Sequence, residues 1–208
     1  MSGRFEPTGR SASLDHLDRL TDAVASLRQC APDLQRWGHE LADALTAGGR
    51  LLAAGNGGSA AQAQHLTSEL VGRYRDDRPP FSAISLCAET SALTAIGNDY
   101  GVEAMFARQV MAHGRPGDVL VALSTSGRSP NVLAAVAAAE DRGLATWALT
   151  GPGDNPLATA CDEAIRVESS HTATVQEIHL VCVHLLCTAF DERLEELGDA
   201  LQAAGGAS

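Results

Sequence analysis

The sequence lacks several features that would assign it to common protein classes. Its five cysteines include no CxxC pair, so neither a disulfide framework nor a thiolate zinc site is indicated, and a reducing compartment fits. No run of 18 apolar residues and no apolar segment after a basic start is present, so membrane spanning and secretion lack support. We therefore expect a cytoplasmic protein with no membrane partner.

Positive charge and nucleotide-binding motifs are also lacking. The chain has 15 Lys plus Arg against 26 Asp plus Glu, a formal net charge of -11, and its basic residues are scattered. A nucleic-acid phosphate backbone would be repelled, so no direct binding to DNA or RNA is expected. Neither GxGxxG nor GxxxxGK[ST] occurs, which argues against a dinucleotide site and against nucleoside triphosphate hydrolysis.

Short apolar runs alternate with alanine-rich helical stretches along the 208 residues. The strand-like runs are "RLLAAG", "FSAISLC", "DVLVALS", "ATWALT" and "EAIRV". This alternation predicts an α/β fold, a doubly wound parallel sheet of about five strands flanked by helices. Apolar spacing from Leu14 to Leu45 predicts two preceding helices, an N-terminal helical arm. We predict one domain over residues 14–197, with flexible tails at 1–13 and 198–208.

Two turns rich in glycine and hydroxyl groups follow predicted strands. "GNGGSA" ends the first strand, and "STSGRSP" ends the "DVLVAL" strand. Glycine lets backbone N–H groups approach an anion, while Ser and Thr hydroxyls add neutral donors. A single turn of this kind is as often an ordinary connection, but two in one sheet favour a phosphate site at the carboxyl ends of the strands.

These turns, together with "AQHLTSELVGRY", "TAIGNDYG" and "VQEIHLVCVHLL", resemble the sugar isomerase (SIS) domain family. Within it, the sequence from about Leu14 to Phe190 is similar to the phosphoheptose isomerases. The resemblance implies an aldose–ketose isomerase that converts sedoheptulose 7-phosphate to D-glycero-D-manno-heptose 7-phosphate through an enediol. It also implies a homotetramer and a bound zinc ion.

The resemblance also implies roles for particular residues. Glu69 would act as the base near carbon and His184 would manage the oxygen protons or ring opening. The zinc ligands would be His65, Glu69, Gln176 and His184. The substrate contacts would be Asn56, Gly57, Gly58, Ser59, Asn98, Asp99, Ser124, Thr125, Ser126, Ser129 and Gln176.

One spacing conflicts with a single ion held by one straight helix. Gln176 and His184 are eight residues apart, roughly 12 Å along a helix. Either the helix is irregular, or the glutamine side chain stretches, or the site residues come from different subunits. A second departure is Ala173, where the family often has an acidic residue, so the substrate is less well specified than the reaction type.

Two other functions share these motifs. One is a non-catalytic SIS protein that binds a phosphosugar or a partner, such as the replication-initiator-associating proteins, whose members lack the acid/base pair. The other is an isomerase of a different phosphosugar. The presence of both Glu69 and His184 favours an enzyme.

Overall fold

A computed structural model of the chain describes residues 11–205, with side chains through residue 200. A 3₁₀ turn at Arg28–Cys30 separates the first two helices. Within the described range the elements are α1 Ala12–Leu27, α2 Ala31–Thr46, β1 Leu51–Gly55, α3 Gly58–Val71, β2 Ala83–Ser85, α4 Thr90–Tyr100, α5 Ala104–His113, β3 Val119–Ser124, α6 Pro130–Asp141, β4 Ala145–Thr150, α7 Pro156–Ala160, β5 Glu163–Arg166 and α8 Thr172–Gly205.

The five strands form one sheet in the order β2-β1-β3-β4-β5, and every pair is parallel. The predicted doubly wound sheet is therefore confirmed. The chain leaves β1 toward β2 on one side and reaches β3 on the other, so the strand order reverses between β1 and β3. Ligands of open α/β sheets bind at such a reversal, outside the carboxyl ends of the strands.

Helices cover both faces of the sheet because successive strand residues point to opposite sides. Leu51 and Ala53 pack with α1, α2, α3 and α8 in one core. Leu52 and Ala54 pack with α5, α6 and α7 in the other. All four side chains are fully buried, as expected for a parallel sheet covered on both faces.

The terminal helices agree with the predicted arm and extend slightly beyond the predicted bounds. The first helix starts at Ala12, two residues before Leu14, and is capped by the Ser11 side chain. Residues 198–205, predicted as part of a flexible tail, continue α8, because Ala, Leu and Gln favour helix. Predicted tail residues 1–10 and 206–208 lie outside the described range.

The last helix supplies much of one core. Over Thr172–Ala200 it is long and apolar enough to cross a membrane by length and composition, and 56% of its most apolar window is buried inside the fold. Ile178, Cys182 and Phe190 are among its side chains in the core beside α2 and α3. The apolar sequence of α8 thus packs against the sheet and its neighbouring helices.

Candidate active site

The first predicted turn brings the chain from β1 into α3. Asn56 accepts the Ser59 backbone N–H at 3.0 Å, which closes the turn. Behind it, the amide of Gln176 on α8 lies so close to Gly58 that a Cβ there would be 2.5 Å from Gln176 Oε1. Glycine at residue 58 allows this approach without a shift of the Gln176 side chain, so an α8 side chain lies against the start of α3.

The second turn gathers three hydroxyl groups at the end of β3. Ser124 Oγ lies 3.2 Å from Ser129 Oγ and 3.5 Å from Ser126 Oγ. Ser129 precedes Pro130 at the start of α6, and its side chain makes no capping hydrogen bond. Pro130 has no backbone N–H, and the Val132 and Leu133 N–H groups donate to the Ser129 carbonyl at 3.1 and 3.0 Å. The Ser129 hydroxyl therefore lies at the positive end of α6, where it can address an anion.

A pair of amides joins the two turns. Asn56 Nδ2 donates to Asn131 Oδ1 and Asn131 Nδ2 donates to Asn56 Oδ1, both at 2.9 Å. Because β1 and β3 are neighbours with Gly55 opposite Leu123, the two turns leave the sheet side by side. The hydroxyl groups of one turn and the glycine amides of the other thus border one site.

Gly127 packs the second turn against the following segment. Its φ is +61°, and a Cβ there would lie 1.9 Å from Asn155 Oδ1. Asn155 is the cap of α7 and accepts the Ala158 N–H at 3.0 Å, while Leu157 N–H donates to the Gly127 carbonyl at 3.0 Å. A side chain at residue 127 would therefore both strain the backbone and displace Asn155.

A histidine and carboxylate cluster lies between α3 and α8. His65 Nε2 is 3.0 Å from His184 Nε2 and 3.1 Å from Glu69 Oε1. The Glu69 side chain is 17% exposed, so a ligand can reach it. Tyr74 lies beside His184, with ring centroids 5.8 Å apart. Three groups suited to proton transfer or metal ligation therefore meet. The spacing of His65 and Glu69 on α3 predicts their pairing, whereas the approach of His184 depends on the packing of α8 against α3.

Helices α3 and α8 run in the same direction where they meet, which decides the position of Gln176. Its side chain lies beside Gly58, and His184 lies beside His65. Seven residues of α3 span about 10 Å, close to the rise between Gln176 and His184 on α8. Both helices are continuous, so one chain brings His65, Glu69 and His184 together and holds Gln176 about two turns away.

Asn98 and Asp99 lie in the last turn of α4. Asn98 Nδ2 donates to Asp99 Oδ1 at 2.9 Å, and this pair is exposed. In the described part of the chain, no hydrogen bond joins them to either turn or to the histidine cluster. Helix α4 has no buried residue although it carries Leu93 and Ile96.

Two site neighbours were not identified from the sequence. Asn131 is a single amide in the apolar run "NVLAAVAAA", and it is 6% exposed; a buried polar residue just after a hydroxyl-rich turn is the signal for it. Tyr74 lies within the motif "GRYR". Nothing in the local pattern indicates its contact with His184, which depends on the packing of α8.

The residues fit a zinc ion in donor chemistry, although the full set of four is not gathered. Among the side chains of residues 11–200, no three His, Cys, Asp or Glu groups already stand in a metal-binding arrangement. The spacings of 3.0 and 3.1 Å around His65 Nε2 are near the about 3.3 Å between tetrahedral zinc ligands. One proton on that nitrogen cannot serve both neighbours fully, whereas a cation would satisfy all three donor atoms.

Comparison with known proteins agrees with this geometry. The SIS domain family profile matches residues 15–151. A phosphoheptose isomerase of Streptomyces coelicolor is 62% identical over 93% of this chain and 84% of its own length. The chain belongs to the phosphoheptose isomerase family. Solved members of the family have the same fold.

For two of those structures, the match to this chain covers nearly the whole length of the solved protein. The phosphoheptose isomerase from Neisseria gonorrhoeae matches with a TM-score of 0.80 and 39% identity, over 86% of this chain and 97% of that one. The enzyme from Francisella tularensis matches with a TM-score of 0.82 and 35% identity, over 88% and 100%. The likeness therefore extends over most of this chain.

Proposed function

We propose that the chain isomerises sedoheptulose 7-phosphate to D-glycero-D-manno-heptose 7-phosphate. The observation that carries the proposal is the meeting of Glu69, His65 and His184 within 3.0–3.1 Å steps, in a chain that belongs to this family. A phosphosugar-binding protein without catalysis needs the hydroxyl-rich turn alone. The carboxylate and imidazole groups are what the isomerisation adds.

The second turn is the proposed phosphate site. Ser124, Thr125, Ser126 and Ser129 would supply neutral donors, and α6, which begins at Pro130, would place the positive end of its dipole beside them. The first turn, Asn56 to Ser59, would hold the sugar beside it, since the amide pair to Asn131 keeps the two turns adjacent. We assign hydroxyl contacts on the polyol to Gln176, Asn98 and Asp99.

Glu69 is the proposed base. Isomerisation moves one proton between adjacent carbons and another between their oxygens. The Glu69 carboxylate would take the carbon proton and return it to the neighbouring carbon, and the His184 imidazole would exchange the oxygen protons. His65 lies between them, with its Nε2 atom within 3.1 Å of both groups.

Zinc is proposed as the cofactor, held by His65, Glu69 and His184, with Gln176 as a fourth ligand. When bound, zinc supplies Lewis-acid stabilisation of negative charge on a carbonyl oxygen. Gln176 would have to swing from its position beside Gly58 to take part. Metal analysis of the purified protein, before and after chelation, tests the assignment.

The active form is proposed to be a homotetramer. Apolar side chains of α1 face solvent in the single chain, with Leu14 51% and Leu17 55% exposed. Helix α4 likewise has no fully buried residue, and a neighbouring subunit would cover it and carry Asn98 and Asp99 toward a site. Sedimentation at low micromolar concentration is expected to detect no active monomer, and a fully active monomer would contradict the proposal.

We also propose that residues 14–197 act as one domain and that the protein is cytoplasmic. All five cysteines are free, three of them buried, which suits a reducing compartment. The acidic sequence supports a small-molecule substrate rather than a nucleic acid.

Incubation with sedoheptulose 7-phosphate, with and without zinc, tests the reaction directly. The expected product is identified by NMR against authentic heptose 7-phosphate. Hexose, pentose and amino-sugar phosphates are run in parallel at equal concentration. Faster turnover of one of these would reassign the substrate, whereas binding of phosphosugars without turnover of any would make the chain a binding protein.

A further inference from the structure

Arg78 joins the ends of the two helices that carry the proposed catalytic residues. Its Nη2 donates to the Glu69 carbonyl oxygen at 2.7 Å, and its Nη1 donates to the Leu70 carbonyl oxygen at 3.1 Å. Both carbonyls belong to the last turn of α3. Its Nε donates to Asp191 Oδ1 on α8 at 2.9 Å. One guanidinium group therefore bonds to both helices.

The surroundings hold this guanidinium group in one orientation. It lies over the rings of Phe81 and Phe190, 5.5 and 5.3 Å from their centroids. The two rings pack edge to face at 5.1 Å, and the Arg78 side chain is 9% exposed. A planar group stacked on aromatic rings and bonded through three nitrogens has little freedom to move.

These contacts lie close to the two proposed catalytic residues, Glu69 and His184. The carbonyl that Arg78 binds belongs to Glu69 itself, and the last carbonyls of a helix have no partner within it. Asp191 follows His184 by seven residues, about two turns of the same helix. Movement of the α3 end relative to α8 would therefore change the separation of the Glu69 carboxylate and the His184 imidazole.

We propose that Arg78 is a positioning residue that sets the Glu69–His184 geometry by fixing the end of α3 to α8. The proposal rests on the isomerase function proposed above. Arg78 would contact neither substrate nor metal. Its loss should lower the rate of proton transfer while leaving the phosphate site intact, because the two turns at the sheet edge do not involve it.

Arg78→Lys is the main test. Lysine keeps a positive charge beside Asp191, whose Oδ2 has no hydrogen-bond partner among the described residues. Its single nitrogen cannot also bind both α3 carbonyls. We expect kcat to fall about 10- to 100-fold, as for small misplacements of a catalytic group, with KM changed less than about threefold.

Arg193→Lys is the matched control. Arg193 lies on α8 and also bonds an aspartate on another helix, since its Nε donates to Asp43 Oδ1 on α2 at 2.9 Å. Within the described residues it makes no hydrogen bond to α3. We expect its kcat to match that of the wild type. Equal losses of kcat in the two variants, or a wild-type kcat in folded Arg78→Lys, would overturn the positioning role.

Rescue by a free guanidinium ion adds a second variant. A cavity of about 420 Å³ borders Arg78, Phe81 and Asp191, so a small cation can enter when the side chain is shortened. In Arg78→Ala, millimolar guanidinium is expected to restore part of kcat, and methylammonium is not. Equal restoration by both cations would indicate a charge effect and contradict the proposed geometry.

A measurement without turnover separates this proposal from the proposed function. The imidazole Cε1–H resonances of His65 and His184 should shift in Arg78→Lys and stay in place in Arg193→Lys. If wild-type protein isomerised no sugar phosphate, the proposed function would fail and these shifts would still report on the helix geometry. Unshifted resonances in folded Arg78→Lys would refute the role of Arg78.

Discussion

Replacement of Glu69 by glutamine gives the sharpest test of the proposed chemistry. The substitution keeps the size of the side chain and leaves an oxygen that can still accept a hydrogen bond from His65 Nε2, now 3.1 Å away. The amide cannot take a proton from carbon. Loss of a general base costs about 10² to 10⁴-fold in rate, roughly 3 to 5 kcal/mol of transition-state stabilisation.

The effect on folding should be much smaller. A hydrogen bond to a charged group contributes about 1.5–3 kcal/mol and a neutral one about 0.5–1.5 kcal/mol. Glu69→Gln exchanges one for the other, so the free energy of unfolding should fall by about 1 kcal/mol. The expected loss of transition-state stabilisation is therefore several times the expected loss in the free energy of unfolding, and the two can be measured separately.

The assay compares kcat, urea unfolding and zinc content for the wild type, Glu69→Gln and Glu177→Gln. Glu177 is a matched control, since its Oε1 lies 2.9 Å from His16 Nε2 outside the cluster. Near-wild-type turnover in folded Glu69→Gln would remove Glu69 from the mechanism. If the variant loses turnover but retains zinc, the result supports Glu69 as the base. If it loses both turnover and zinc, the result assigns Glu69 to the metal site.

Five further substitutions test the proposed phosphate site and the fold. Ser126→Ala should weaken phosphate binding by about 1.5–3 kcal/mol and Ser126→Asp by more, since a carboxylate repels the anion; equal calorimetric affinities for wild type and the Asp variant would exclude a phosphate site. Burial lowers the pKa of His179 to about 4, so below about pH 6.5 the unfolded state binds more protons than the folded state. The free energy of unfolding therefore falls as the pH drops from about 6.5 toward about 4. At pH 5 the expected loss is about 2 kcal/mol. Urea unfolding of wild type and His179→Gln at pH 7 and 5 checks this, and identical pH dependence would contradict it. Gly127→Ala should lower the free energy of unfolding by more than about 2 kcal/mol, because its Cβ would overlap Asn155. Gly153→Ala, where φ is +68° but the space around the Cβ is open, should lower it by only about 1–2 kcal/mol. Equal losses in thermal unfolding would show that the overlap is relieved.

Local pattern was sufficient for the sheet and for much of the site. Each predicted strand agrees with an observed one, as "DVLVALS" does with β3 at Val119–Ser124, because a parallel strand covered on both faces must be apolar throughout. Hydroxyl-rich turns after β1 and β3 were also recognisable, since glycine and serine at a strand end have a local cause. The pairing of His65 with Glu69 follows from their spacing on one helix.

Contacts between distant segments could not be predicted in this way. Asn131 pairs with Asn56 across 75 residues, and Arg78 reaches Asp191 across 113. Such contacts depend on which strands are neighbours and on how helices pack, and no periodicity in the chain encodes either. The position of Gln176 beside Gly58 could not be predicted either, because it follows from the parallel packing of α3 and α8.

The sequence by itself determined the α/β class, the two glycine- and hydroxyl-rich turns and the pairing of His65 with Glu69, because each arises from the conformational preferences of residues close together in the chain. Only the tertiary structure decided that His184 meets His65, that Gln176 lies about two turns away from them, and that Arg78 bonds α3 to α8. These depend on the relative placement of two helices far apart in sequence, which the packing of their apolar faces against one core sets.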